Sequence, residues 1–342
     1  MGDPTFHVLK ATPETVQWGY FDRLIPPVLR IRSGDIVAVE SLTHHAGDAP
    51  DLMMDDAVQH VYETIPVTDR GPGVHLVTGP IYVEGAEIGD VLECRVLDLT
   101  PRLPYGSNFE ANWGLLYEEF DRTEHVVIWQ ADTRLGVARA AFQYPFPGKL
   151  EIPGTITPPG SIARAHALSN ISVPLRLHLG TAGVAPAVDG RVSTIPPANF
   201  GGNVDNRWFG TGTSMFYPVL NEGALFWCGD SHFAEGDGEI SGTAIEGHLN
   251  ATIQLTVHKD THIHNPVLET PQAWMCHAFD RDLNEAMRLA ALEAIEFLVD
   301  REDLTRHEAY SLLSVAGDFH VTQVVDDVKG IHVVLRRDFR RL

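Results

Sequence analysis

In this 342-residue chain the densest run of reactive side chains is Cys228-Gly229-Asp230-Ser231-His232-Phe233-Ala234-Glu235-Gly236-Asp237-Gly238-Glu239. Asp230 and His232 stand two residues apart, so on an extended segment both project from one face and can reach a single ion. Imidazole combined with carboxylate suits zinc or a similar transition metal, whereas a calcium site draws on oxygen alone. The competing reading is a plain surface hairpin, because Gly and Asp are ordinary turn residues. Further ligands must come from elsewhere in the chain. Ser41 to Asp48 carries His44 and His45 just after an expected strand, and Ala244 to His248 offers Glu246 and His248. The working metal set is Asp230, His232 and His45, with His44, Glu246 and His248 as alternatives for completing it. His7, His258, His262 and His264 read as solvated, and Glu118, Glu119 and Asp121 as an exposed acidic run.

Other hydrolytic machinery is absent from the sequence pattern. Gly229-Asp230-Ser231-His232-Phe233 lacks the second glycine of a nucleophile elbow. No Ser-Ser-Lys amidase signature and no Gly-x-Gly-x-x-Gly fingerprint in a βαβ unit is found. Cys228 is the one thiol near the reactive stretch, but a neighbouring Asp raises a thiol's pKa and weakens it as a nucleophile.

The elements that must position these residues are mostly strands. Ser33-Gly34-Asp35 turns into Ile36 to Glu40, and Ile88-Gly89-Asp90 turns into Val91 to Val96, where Leu92, Cys94 and Val96 alternate with Glu93 and Arg95. Thr252 to His258 alternates most cleanly, with Ile253, Leu255 and Val257 on one face. The recurrence of Gly-Asp before a strand at Gly34, Gly89 and Gly229 hints at an internal duplication. Two helices are expected late, over 282–299 and 305–316, opened by capping boxes at Asp282 to Glu285 and Thr305 to Glu308. Leu283, Met287, Ala290, Ala294 and Phe297 should line the buried face of the first, and Gly317 should close the second in a left-handed cap. The expected fold is mainly β, of sandwich-like units with a C-terminal helix pair. Pro145 to Gly160 serves equally as a boundary between units 1–150 and 151–342 or as a long active-site loop.

Composition narrows the function classes. The 46 acidic against 25 basic residues give a net charge of -21, a surface that repels nucleic-acid phosphates and anionic lipid. No apolar window approaches the 18 residues of a membrane span, and no secretory signal is visible at Met1 to His7. Three widely spaced cysteines (Cys94, Cys228, Cys276) make neither a disulfide framework nor a zinc ribbon, and a cytoplasmic location is expected.

Three segments resemble the acetamidase/formamidase family: Gly71 to Leu92, within which Thr78 to Leu92 is closest; Phe200-Gly201-Gly202-Asn203-Val204-Asp205; and Gly229 to Glu239 continuing to Glu246. Weaker similarity lies at Pro27 to Asp35 and at Gly317 to His320, so the likeness runs from about Trp18 onward. The resemblance implies hydrolysis of a small amide to carboxylate and ammonia by a homo-oligomer. It places the site at Asn203, Asp205, Asp230, His232, Asp237 and Glu239. The chain departs from the family pattern at Glu235, where glutamine is common, and around His44 and His45.

Amide hydrolysis requires hydroxide near neutral pH, stabilisation of an oxyanion, and a proton for the leaving nitrogen. A divalent metal, expected to be zinc, serves the first two needs. Glu246 or Glu239 can carry the proton, Asn203 can hold the amide or the oxyanion, and Asp205 joins this catalytic set. Trp113, Trp208 and Phe233 are the expected pocket walls. Two alternatives remain open: a non-catalytic sandwich that binds a small amide or sugar, and a metal-free amidase using Cys228 or a carboxylate pair.

Overall fold

The computed structural model describes residues 3–338. In Leu249–His258 the side chains of Leu249, Ala251, Ile253 and Leu255 are buried, and those between them are not. Leu92, Cys94 and Val96 do the same in Val91–Pro101. A period of two is what one buried sheet face demands, at about 1.5–3 kcal/mol for each large side chain removed from water. These two strands pair antiparallel inside a nine-stranded sheet. Its order is Phe6–Leu9, Ile36–Ser41, Leu249–His258, Val91–Pro101, Ser214–Pro218, Val267–Glu269, Ala273–Asp280, Lys329–Arg336 and Gly317–Gln323.

A six-stranded sheet runs Gly201–Asn203, His178–Val184, Phe226–His232, Leu76–Glu84 and Val16–Trp18, with Leu29–Arg32 beside Leu76–Glu84. Val37, Leu92 and Ile253 of the large sheet lie in one continuous apolar cluster with Ile81, Val184, Phe226 and Trp227 of this one, giving a sandwich-like core. Strands from before and after residue 150 are neighbours in both sheets. A four-stranded sheet, Val173–Pro174, Val137–Pro145, His125–Asp132 and Tyr105–Glu110, stands beside them. Of the three Gly-Asp pairs, those at Gly34 and Gly89 precede strands, but Gly229 and Asp230 lie within Phe226–His232. The third match to a repeated turn-and-strand unit therefore fails. Gly229 is required there for another reason: a Cβ would sit 1.9 Å from the Leu76 carbonyl oxygen.

The C-terminal helices span Leu283–Glu302 and Arg306–Ala316. Asp282 accepts from the amides of Asn284 and Glu285, and Thr305 with Glu308 forms the full reciprocal box. The buried face of the first helix is Ala286, Ala290, Ala294, Ile295 and Leu298, packed with Ile331, Val333 and Leu335 of the sheet. Met287 is exposed instead, one position off the expected stripe. Gly317 is extended at φ -97°, because the chain passes directly into a strand; the left-handed residue is Asp303, after the first helix. A helix that the sequence reading missed, Asp56–Thr64, is capped by Asp55 and buries Val58, Val61 and Tyr62.

One turn in this frame carries a pH-dependent clamp. Asp35 accepts from the amides of Thr5 (2.8 Å) and Arg32 (3.0 Å), while His7 Nε2 stands 3.1 Å from its Oδ2. Burial opposes the charge, but these hydrogen bonds win and hold the carboxyl at about 2. A folded-state pKa below the unfolded value near 4 means stability that is complete above about pH 4 and is lost as pH falls toward 2. Asp35→Asn is therefore expected to cost about 1–3 kcal/mol at pH 7. Urea unfolding at pH 7 and pH 2.5 checks this: the gap between variant and wild type should shrink at the lower pH, and a gap that stays constant would contradict it.

Candidate active site

Strand Phe226–His232 delivers Asp230 and His232 to one place, and it is no exposed hairpin: every residue of it is buried. Asp230 Oδ2 lies 3.4 Å from His232 Nε2, as two-residue spacing requires. Glu246 joins them, with Oε1 3.3 Å from His232 Nε2, because residue 246 bridges back to His232 across the chain. His75 Nε2 approaches Asp230 Oδ2 from the other side at 3.7 Å. Gly180 makes the packing possible. A Cβ there would lie 2.4 Å from His232 Cε1 and 2.6 Å from Asp205 Oδ1.

A cavity of about 200 Å³ opens over this group. Its polar floor holds His44, His45, His75, Asn203, Asp230, Glu239, Glu246 and Asp326. Its apolar wall is Val74, Trp113, Leu150, Ile152, Pro153 and Ile195, so part of the Pro145–Gly160 segment borders the cavity. Three acidic residues here, Asp205, Asp230 and Glu239, adopt left-handed backbone at φ 52°, 48° and 42°. Such conformations cost of order 1–3 kcal/mol each and persist where surrounding contacts hold them.

Hydrogen-bond roles decide which atoms face the cavity. His75 Nδ1 is 3.2 Å from the Thr194 carbonyl oxygen, so Nδ1 carries the hydrogen and Nε2 turns a lone pair toward Asp230. His232 Nδ1 faces the Glu235 carboxylate at 3.2 Å, so its Nε2 points at Asp230 and Glu246 and offers them a proton or, when the ring is neutral, a lone pair to an ion between them. His44 Nδ1, Asp230 Oδ1, His232 Nε2 and Glu246 Oε2 are all buried without a hydrogen-bond partner. Carboxylates and imidazole nitrogens aimed at one another in this way require positive charge between them, either the proton of a His232 imidazolium or a metal ion. Two overlapping ligand sets result: His44, His75 and Asp230 against the cavity, and Asp230, His232 and Glu246 beneath.

The titrating groups reflect this crowding. Burial drives the His44 and His75 imidazoles below their usual range. His232 is raised well above its usual value although burial opposes it, because Glu246 and Asp230 press on it. Burial raises Glu246, and it raises Glu239 well above the ordinary carboxyl range, with Asp205 adding to the effect. Burial also pushes Asp326 up to about 8; it reaches the site from the turn after Gly317–Gln323 and accepts from Asn203 Nδ2 at 3.0 Å.

The residues expected from sequence divide clearly. Asn203, Glu239 and Glu246 line the cavity. The Asn203 carbonyl accepts from Thr181 Oγ1 and its amide donates to Asp326, which leaves one N–H for a ligand. Asp205 lies behind, in contact with Asp326 rather than with the cavity. His45 lines the cavity but is held by Asp48 at 2.9 Å, and His44 is the histidine within ligand range of Asp230. Among the described residues no potential metal group contains His45. His248 is structural: Nδ1 accepts from the Thr43 amide, and Nε2 donates to the Met53 carbonyl.

Trp208 and Phe233 are not pocket walls. Trp208 stands on the outside beneath the Arg176 guanidinium, 4.2 Å from the ring centroid. Phe233 is fully buried against Gly247. Asp237 is taken by Arg207 (2.8 Å) and His320 (3.0 Å), away from the cavity. Cys228 is buried, and burial pushes its thiol up to about 12, so it holds its proton at neutral pH. Sequence reasoning missed His75 and Asp326. His75 stands in the segment that carried the resemblance, whereas nothing local to Asp326 marked it.

Residues 14–335 match the model of the Acetamidase/Formamidase family. The formamidase of Methylophilus methylotrophus is 26% identical over 88% of this chain and 84% of its own length. The acetamidase of Mycolicibacterium smegmatis is 29% identical over 49% of each chain, so the match spans about half of that relative. The crystal structure of acetamidase from Bacillus halodurans superposes with a TM-score of 0.73 at 27% identity, covering 96% of this chain and 97% of that one. With the family model spanning nearly the whole chain, this protein belongs to the acetamidase/formamidase family of amidohydrolases.

Proposed function

We propose that the chain hydrolyses a small uncharged amide to carboxylate and ammonia with the help of a divalent cation. One observation carries this reading: the Nε2 atoms of His75 and His232 face the carboxylates of Asp230 and Glu246 in a buried site where Asp230 Oδ1, His232 Nε2, Glu246 Oε2 and His44 Nδ1 have no hydrogen-bond partner. Asp230 with His44 and His75, and Asp230 with His232 and Glu246, are the residues that would hold the ion. Mixed nitrogen and oxygen donors suit zinc better than calcium. Such an ion supplies Lewis acidity, which lowers the pKa of water toward 7 and polarises a carbonyl.

The chain's own groups do the rest. Glu246 keeps one carboxylate oxygen bonded to the Ala244 amide and leaves Oε2 free to take a proton from the attacking water. Returning that proton to the amide nitrogen makes ammonia a competent leaving group. His45, held at Nδ1 by Asp48, offers Nε2 to the cavity, and the spare N–H of Asn203 can anchor the substrate amide. Among the described residues no Lys or Arg lines the cavity, so no cationic side chain there would favour an anionic substrate over an uncharged amide. The apolar wall, headed by Trp113, suits a short acyl group or a small ring. Cytoplasmic residence and assembly into a homo-oligomer are part of the same proposal.

Ammonia release from formamide, acetamide and a small cyclic amide tests it. Chelation should abolish turnover, and zinc or manganese should restore it. Asp230→Ala and His232→Ala should each lower kcat at least about a hundredfold, the scale of losing one electrostatic contact to the transition state, while Cys228→Ser leaves kcat unchanged. Full activity after exhaustive chelation would contradict the metal reading, and ligand binding without turnover would favour a binding protein.

A second expectation follows from the contact beneath His232. Gly180→Ala pushes a methyl group into His232 and Asp205, and overpacking of this kind costs about 1–3 kcal/mol. Turnover should fall at least about tenfold at temperatures where the variant stays folded by circular dichroism, because misplacements near 1 Å are costly in catalysis. Unchanged kcat in a folded variant would show that the position of His232 is not critical.

A further inference from the structure

We propose that Glu235 is a positioning residue that, together with His178, holds the Nδ1–H tautomer of His232 and so presents Nε2 to the cation. The inference rests on the metal reading above but concerns a residue outside the cavity. Glu235 sits on the turn after Phe226–His232, where its neighbour Gly236 is exposed, yet its own side chain is only 1% exposed. Its Oε2 lies 2.7 Å from His178 Nε2 and 3.2 Å from His232 Nδ1. The two rings also approach each other, with His178 Nε2 3.1 Å from His232 Nδ1. His178 is anchored in turn, because its Nδ1 donates to the Arg176 carbonyl at 2.7 Å.

The chain of contacts therefore runs in one direction. The Arg176 carbonyl accepts the His178 Nδ1 hydrogen, one further proton shared between His178 Nε2 and Glu235 Oε2 holds that pair, and Oε2 also accepts the Nδ1 hydrogen of His232. What remains on His232 is an Nε2 lone pair directed at Asp230 and Glu246. Burying a carboxylate is costly unless it is paired, and this one has two imidazoles on a single oxygen while Oε1 has no partner. Partners of this kind orient a ligating histidine and raise its basicity. A glutamine here could accept the same hydrogen but would bring no charge. Glu235 should therefore make His232 the stronger donor.

The test uses Zn²⁺ itself, titrated into metal-free full-length protein in competition with a chromophoric chelator at fixed pH. Losing an outer partner of a metal-bound histidine typically costs 10–100-fold in affinity. Zn²⁺ binding is expected to weaken about tenfold in Glu235→Gln and about a hundredfold in Glu235→Leu. Histidine ¹⁵N spectra of the metal-free protein, recorded at a pH high enough that His232 has lost its second proton, should show the Nδ1–H form in wild type and mixed tautomers in Glu235→Leu. A residue that merely tethers its loop would lower the urea midpoint and leave both readouts alone. Either variant binding Zn²⁺ as tightly as wild type overturns the proposal; if Glu235→Leu fails to fold, Glu235→Gln decides. If wild type takes up no Zn²⁺, the metal reading fails first, and the tautomer spectra still judge Glu235.

Discussion

The constraint that governs this molecule is buried negative charge. Asp205, Asp230, Glu239 and Glu246 are each at most 8% exposed, the Glu235 side chain is 1% exposed, and Asp326 joins them through Asn203. Among the described residues no Lys or Arg lines their cavity. Isolated carboxylates do not survive such burial; they take up protons or find cations. The site does both. Glu239 and Asp326 are pushed toward their neutral forms, whereas Asp230 is held well below the usual range by His75 and His232 even though burial opposes this. Asp230 stays ionised beside carboxyls that prefer not to be, and it is the one within ligand range of His44, His75 and His232.

The fold's task is to bring these groups in from distant parts of the chain. The turn after Ile36–Ser41 supplies His44 and His45, and the residue before Leu76–Glu84 is His75. Asn203 ends its short strand, and Asp230 and His232 close theirs. The C-terminal hairpin, stabilised by two capped helices behind it, sends in Asp326. Close packing of the backbone under the site, at Gly180 and Gly229, leaves little room for these side chains to relax. Strand ends and the turns between packed strands hold these groups more firmly than free loops would.

How much of this was legible in the sequence follows from the range of the interactions. Period-two burial and helix caps are local, and Leu92, Cys94, Val96, Asp282 and Thr305 stand where the pattern placed them. The convergence of Asp230 and His232 was readable for the same reason. The same parity sends Ser231 and Phe233 to the opposite face, which is why Phe233 packs in the core and is no pocket wall. His44 and His45 could not be told apart, because alternation stops at Ser41 and a 3-10 turn begins at Ala46. The sequence marked His75 only as part of a resemblance, and Asp326 not at all. Both depend on contacts across more than 90 residues that no local pattern records.

Anomalous diffraction at the zinc edge, from crystals of the protein grown with Zn²⁺, addresses the central claim most directly. The account predicts a strong peak bonded to Asp230 and to at least two of His44, His75 and His232. Density in the cavity with no anomalous signal there, in crystals whose protein hydrolyses amides at full rate without added metal, would contradict it.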